Sequence, residues 1–137
     1  MIAPLARALV AGELPVLRAH GLTMWGYAVL DALSDQPVRT QAVLAQSIGA
    51  DKTRIIGVLD ELQQQALIER RPDAADRRAH LISITDSGRA KHAAAQAEIQ
   101  SHEDQLLARL PAADRQGLLN ALRFLSELPP EEISGTA

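Results

Sequence analysis

"RRPDAADRRAHLISITDSG", residues 70–88, is the stretch on which the fold turns. "LIER" leads into it and "HLISIT" lies within it. Both runs are short and rich in β-branched or large apolar residues, and Pro72 and Gly88 bound them. They read as two strands of a hairpin joined by a long loop. Arg77 and Arg78 sit on that loop, although the chain as a whole carries a formal net charge of −3. What the loop is for depends on what precedes it.

Immediately upstream, Thr40 is a candidate N-cap for the short helix "QAVLAQSI", which Gly49 stops. Asp51 caps the next, "KTRIIGVLDELQQQ". Two helices joined by a tight glycine-containing turn outline a helix-turn-helix. A hairpin directly behind one is a wing. Further out, residues 2–19 read as helix, with Gly12 and Pro15 expected to break or kink it. Thr23 caps a second helix running to about Leu33, and "SDQP" reads as a turn. Downstream, "DSGRAKHAAAQAEIQSHEDQLLARL" is a long Ala-rich helix capped by Thr85, with Asp86 suited to its dipole. Pro111 interrupts before a last helix, "AADRQGLLNALRFLSEL". The expected fold class is mainly α with a small two-stranded wing. It forms one domain over 1–137, with a winged helix-turn-helix at about 23–88, flanking helical regions at 1–22 and 89–128, and a tail at 129–137.

Composition fits this reading. The 137 residues are 47% hydrophobic, enough for a core, but Trp25, Tyr27 and Phe124 are the only aromatics, so aliphatic side chains and alanine must fill it. Cysteine is absent, which excludes disulfides, thiolate metal sites and cysteine redox sensing. The N-terminus lacks the pattern of a signal peptide, and no apolar run approaches the ~18 residues a bilayer requires. A cytoplasmic protein without membrane contact is expected. Charge is unevenly spread: residues 39–92 hold nine basic and seven acidic side chains, a net +2, leaving −5 on the two ends. The middle is locally basic in an acidic chain, as a duplex-DNA contact needs.

Helical periodicity places Ile55, Leu59 and Leu62, with Val58 at the edge, on the packed face of the second motif helix. Thr53, Gly57, Asp60 and Gln64 fall opposite, with Arg54 and Ile56 on the flanks. A recognition helix reads bases mainly with its N-terminal residues, so Lys52, Thr53, Arg54 and Ile56 are in line for contacts. Arg54 can take a guanine bidentately or a phosphate; Ile56 can meet a thymine methyl. Gly57 costs about 1 kcal/mol relative to alanine inside a helix. It is either a tolerated substitution or a point of close backbone approach to DNA. On the loop, Arg77 and Arg78 can place a guanidinium in the narrow minor groove, and Asp76 can orient Arg78 by a charge-assisted hydrogen bond.

These residues also carry a family resemblance. "DRRAHLISITDSG" resembles the wing motif of the MarR family of bacterial regulators. "LAQSIGADKTRIIGVLDELQQQALIERR" looks like that family's helix-turn-helix and first wing strand, and "GLTMWGYAVLDAL" is similar to its second helix. The resemblance implies an obligate homodimer whose first and last helices intertwine and whose winged helices read a pseudo-palindromic operator in double-stranded DNA. It implies Arg78 as the minor-groove arginine with Asp76 its partner, residues 52–57 as the reading edge, and Thr40 and Gln41 as phosphate contacts. Ile56 and Gly57 stand where the family often has a hydroxyl residue and an arginine. Ala66 stands where glycine is common, and would be strained if a left-handed helix end persists.

The resemblance further implies a small aromatic or anionic effector in a crevice near Leu17, His20, Met24, Trp25 and Ala28; core packing is the plainer reading of each. Glu98 and His102 are one turn apart with His92 further up the same helix, but scattered ligands on a surface helix are usually solvated. Neither a metal site nor a cofactor is expected. No nucleophile motif, Gly-rich phosphate cradle or acid pair suggests an enzyme. The alternative to a DNA-binding regulator, more readily a repressor than an activator, is a winged-helix protein-interaction module. Basic residues clustered on the reading surface would favour DNA; an apolar patch there would favour protein.

Overall fold

The structure is a computed structural model that describes residues 1–136. It contains α1 (Ile2–Ala19), α2 (Met24–Asp35), β1 (Val38–Thr40), α3 (Gln41–Ile48), α4 (Lys52–Gln64), β2 (Ile68–Pro72), β3 (His80–Ile84), α5 (Asp86–Leu107), α6 (Ala112–Ser126) and α7 (Pro130–Ser134). The chain divides into two compact units, Met1–Ile99 and Gln100–Ala137, with the boundary inside α5.

The helix starts follow their caps. Thr23 Oγ1 accepts from the Gly26 N–H at 3.0 Å, Thr40 Oγ1 from Val43 at 3.2 Å, and Asp51 Oδ1 from Arg54 at 2.7 Å. Each satisfies an N–H left orphaned by the first helical turn. Gly49 closes α3 at φ 71° in the left-handed region that glycine enters without a Cβ clash. Thr85 Oγ1 accepts from Gly88 at 3.0 Å and so opens α5.

In the first unit, Leu17, Leu22, Val29, Leu30, Leu33, Leu44, Ile55, Leu59, Leu62, Ile68 and Ile82 form one buried cluster. The packed face of α4 is the one its periodicity predicts: Ile55, Val58, Leu59 and Leu62 are its buried residues. In the second unit, neither α6 nor α7 has a buried residue, and Leu118, Leu122, Phe124, Leu125 and Ile133 are exposed. In the first, Ile2, Leu5, Leu9 and Val10 of α1 are exposed likewise.

Four features differ from expectation. The sheet has three strands, not two. Val38–Thr40 adds to β3 in the order β1-β3-β2, all antiparallel, with Arg39 opposite Ile82 and Arg70 opposite Ile82 on the other side. Three residues with no apolar alternation carry no strand signal of their own; pairing with β3 makes them one. Second, α1 runs unbroken through Gly12 and Pro15, because Val16 and Leu17, the two residues directly after the proline, are anchored in the core and offset the lost backbone bond. Third, Pro130–Ser134 in the expected tail forms a short helix, with Pro130 at its first turn where the missing N–H costs nothing. Fourth, His92, read above as a solvated position on a surface helix, is buried. Its Nε2 lies 2.8 Å from Asp31 Oδ1 and its ring stacks on Tyr27 with centroids 5.2 Å apart.

The end of α4 behaves as its sequence suggested. Leu67 N–H donates to Leu62 O at 3.0 Å and Ala66 N–H to Gln63 O at 2.9 Å, a Schellman-type closure that sets Ala66 at φ 59°. A Cβ in this region costs roughly 1–2 kcal/mol, part of which glycine returns as unfolded-state entropy. Ala66→Gly is therefore expected to stabilise the protein by roughly 0.5–1 kcal/mol, read as a higher urea midpoint at unchanged slope.

Candidate nucleic-acid interface

The wing and the recognition helix enclose a groove. It has a volume of about 350 Å³, and Thr40, Gln41, Lys52, Ile55, Asp76, Arg78 and His80 are among its lining residues. The N-cap of α3, the start of α4 and the tip of the β2–β3 loop thus meet at one place. Five residues singled out from the sequence (Thr40, Gln41, Lys52, Asp76 and Arg78) are gathered there, across 38 positions of chain from first to last.

The loop has its own frame. Asp73 N–H donates to Ala79 O at 3.0 Å, and Asp73 Oδ1 accepts from Ala75 N–H at 2.9 Å. Asp76 Oδ1 accepts from the Arg78 backbone N–H at 3.0 Å, and Ala79 N–H donates to Asp76 O at 3.0 Å. Side chains that mimic a turn in this way hold a loop without needing a core. Asp76 therefore positions the backbone of Arg78, rather than its guanidinium as the sequence suggested. Both arginines at 77 and 78 are exposed, and among the described residues neither guanidinium pairs with a carboxylate.

Not every arginine of the basic segment is free in this way. Arg70 donates through Nε to Gln63 Oε1 and through an Nη to Asp60 Oδ1, bracing β2 against α4. Arg71 pairs with Glu69 at 3.2 Å. Lys52 and Arg54 at the start of α4 and Arg77 and Arg78 on the wing loop, by contrast, have no carboxylate partner among the described ion pairs. Sequence reading could not separate the bracing arginines from the free ones, because the distinction is made by neighbours distant in the chain.

On the outer side of α4 a second groove, about 440 Å³, is lined by Thr23, Trp25, Asp51, Thr53, Arg54, Gly57, Val58 and Glu61. Arg54 Cζ lies 5.7 Å from the centroid of the Trp25 ring. Ile56 is 47% exposed, a lone apolar side chain beside polar ones. A Cβ built on Gly57 meets nothing within 4 Å, so no packing within this chain requires glycine there. Of the residues suggested for an effector crevice, Leu17 belongs to the core, Met24 and Ala28 are half-buried, and Trp25 lines the groove with Arg54. His20 Nε2 lies 3.2 Å from Glu98 Oε1, a close pair whose geometry falls short of a hydrogen bond.

Comparison with known proteins places this architecture. Residues 20–79, which take in α2, the helix-turn-helix and most of the wing, match the MarR family profile. The chain is 26% identical over 110 residues to a transcriptional regulatory protein for the hcr operon of Thauera aromatica, covering 80% of this chain and 66% of that protein. Over residues 20–79 the chain is similar to the MarR family.

Two solved MarR-like folds agree. The transcriptional repressor CouR, bound to a 23-mer DNA duplex, superposes with a TM-score of 0.79 at 28% identity, covering 92% of this chain and 89% of that one. The PcaV regulator from Streptomyces coelicolor, in complex with its natural ligand, superposes with a TM-score of 0.69 at 26% identity, over 90% of this chain and 89% of that one. Among the described residues of this chain, no helix is long and apolar enough to cross a membrane.

Proposed function

We propose that this chain is a MarR-type, sequence-specific duplex-DNA-binding repressor that acts as a homodimer in the cytoplasm, responds to a small aromatic or anionic effector, and is not an enzyme. One observation carries the reading: Lys52 and Arg78 share a groove with the phosphate-binding candidates Thr40 and Gln41, on the surface where the recognition helix begins. A protein-interaction module would present an apolar patch there. Among the described residues, Ile56 on α4 and Val43 on α3 are the only large apolar residues of those two helices that are exposed.

Lys52, Thr53, Arg54, Ile56 and Gly57 form the major-groove edge in this reading, Arg77 and Arg78 enter the flanking minor groove, and Asp76 holds the turn that carries them. A second copy would cover the apolar residues that α1 and α6 leave exposed. The DNA-bound CouR and ligand-bound PcaV structures support the DNA and effector parts of the proposal.

The test is an electrophoretic shift with DNA spanning the chain's own gene and its divergent neighbour, titrated with salt. Tight sequence-dependent binding with a steep salt slope is expected. Weak binding, equal on every duplex, would count against specific recognition. In the same assay Gly57→Ala separates the two readings of that glycine. Stability is expected to rise by about 1 kcal/mol, since the methyl meets open space on a helix. Operator affinity is expected to fall, because the methyl stands on the reading edge. Unchanged affinity would make Gly57 a tolerated substitution.

A further inference from the structure

We propose that Trp25, which lies outside the helix-turn-helix, is a specificity-determining residue that positions Arg54 for base reading; the inference rests on the DNA-binding function above.

The argument begins with what surrounds Arg54. Two carboxylates line its groove, Asp51 and Glu61, yet among the described residues neither forms an ion pair with it. Asp51 Oδ1 is engaged by the backbone N–H of Arg54 itself, at 2.7 Å. The guanidinium instead lies over the indole of Trp25, 5.7 Å from the ring centroid. The difference matters chemically. A carboxylate would consume two N–H donors in the plane of the fork. An aromatic face attracts the cation through its quadrupole and leaves the in-plane donors unused. An arginine held this way keeps the bidentate edge that matches the O6 and N7 acceptors of guanine.

The plate itself is fixed. Trp25 is the second residue of α2, whose N-cap Thr23 is closed by the Gly26 N–H at 3.0 Å. Gly26 is buried, and a Cβ there would meet Thr23 Oγ1 at 3.1 Å and Leu62 Cδ2 at 3.4 Å. Glycine thus lets the first turn of α2 sit tightly against α4 where Leu62 is anchored in the core. Both partners of the Trp25–Arg54 contact are consequently held by the same helix pair. A long side chain that would otherwise sample many rotamers starts in a restricted set, and the ordering cost of recognition falls.

Selection of preferred sites from a randomised duplex pool tests this with the wild type, Arg54→Ala, Trp25→Leu and Trp25→Phe. Arg54→Ala is expected to lose preference at one base pair per half-site. Trp25→Leu should lose roughly tenfold preference at that same pair, a part of the discrimination a bidentate contact supplies. Affinity for unrelated duplex should change less than about twofold. Trp25→Phe, which keeps an aromatic face, should retain most of the preference. Independently of any change at position 25, the single tryptophan reports the contact: Arg54→Ala should alter its emission and raise its quenching by acrylamide in the free protein.

Preference retained by Trp25→Leu, or an emission spectrum indifferent to Arg54, would overturn the proposal. Equal loss of preference at every position in Trp25→Leu and Trp25→Phe would overturn it too, by making Trp25 a packing residue. A wild type with no preferred site would sink the functional reading and this inference with it. A wild type with a clear site and an unaltered Trp25→Leu variant would sink this inference alone.

Discussion

Gly88→Ala is expected to lower the unfolding free energy by about 3 kcal/mol, at the upper end of overpacking substitutions in a well-packed interior. A Cβ at this position would lie 2.1 Å from Leu67 O and 2.9 Å from Ile84 Cγ1. The nearer atom is backbone and cannot rotate away. It is also committed: Leu67 O accepts from Thr85 N–H at 3.1 Å, and the preceding Ala66 O accepts from Thr85 Oγ1 at 2.7 Å. Moving it would disturb the end of α4, the start of β2 and the cap of α5 together. A fall in urea midpoint with unchanged slope, followed by circular dichroism, is the expected result. A midpoint within experimental error of wild type would mean that α5 can shift at its N-terminus without cost to the core.

Arg78→Ala is expected to act on function alone. Operator affinity should fall roughly ten- to a hundredfold, the size of losing one positioned arginine contact to DNA, while the melting temperature and the association state stay as they are. Arg78 is exposed, and its guanidinium takes no part in the described hydrogen bonds or ion pairs. What the loop needs from this residue is its backbone N–H, which donates to Asp76 Oδ1 and is kept by alanine. The control follows directly: Asp76→Ala should weaken binding by loosening the loop while Arg78 is still present. Undiminished affinity of Arg78→Ala would remove the wing from the interface. Loss of fold would show Arg78 to be a structural residue.

Much of this protein was readable along the chain, and the reason is that its decisive signals are local. Thr23, Thr40 and Asp51 cap helices by bonding three residues ahead. Gly49 ends one because its φ of 71° suits no side chain as well. The apolar period of α4 selects its buried face within four turns. Even Asp76 and Arg78 interact two residues apart, although through the Arg78 backbone N–H and not the guanidinium that the sequence suggested.

What the sequence by itself determined, then, is the order and type of the main elements, the inward face of α4, and the presence of basic side chains at the start of that helix and on the wing. Only the tertiary structure decided which arginines are free. Arg70 is taken by Asp60 and Gln63, ten and seven positions away, whereas Arg54 lies over Trp25, twenty-nine positions away. Tertiary pairing alone makes a strand of Val38–Thr40. Packing against Asp31 and Tyr27 alone buries His92. The physical reason is common to all of them. Caps and periodicity act within a turn or two of backbone, while a charged or short polar segment acquires its role from whatever the folded core brings beside it.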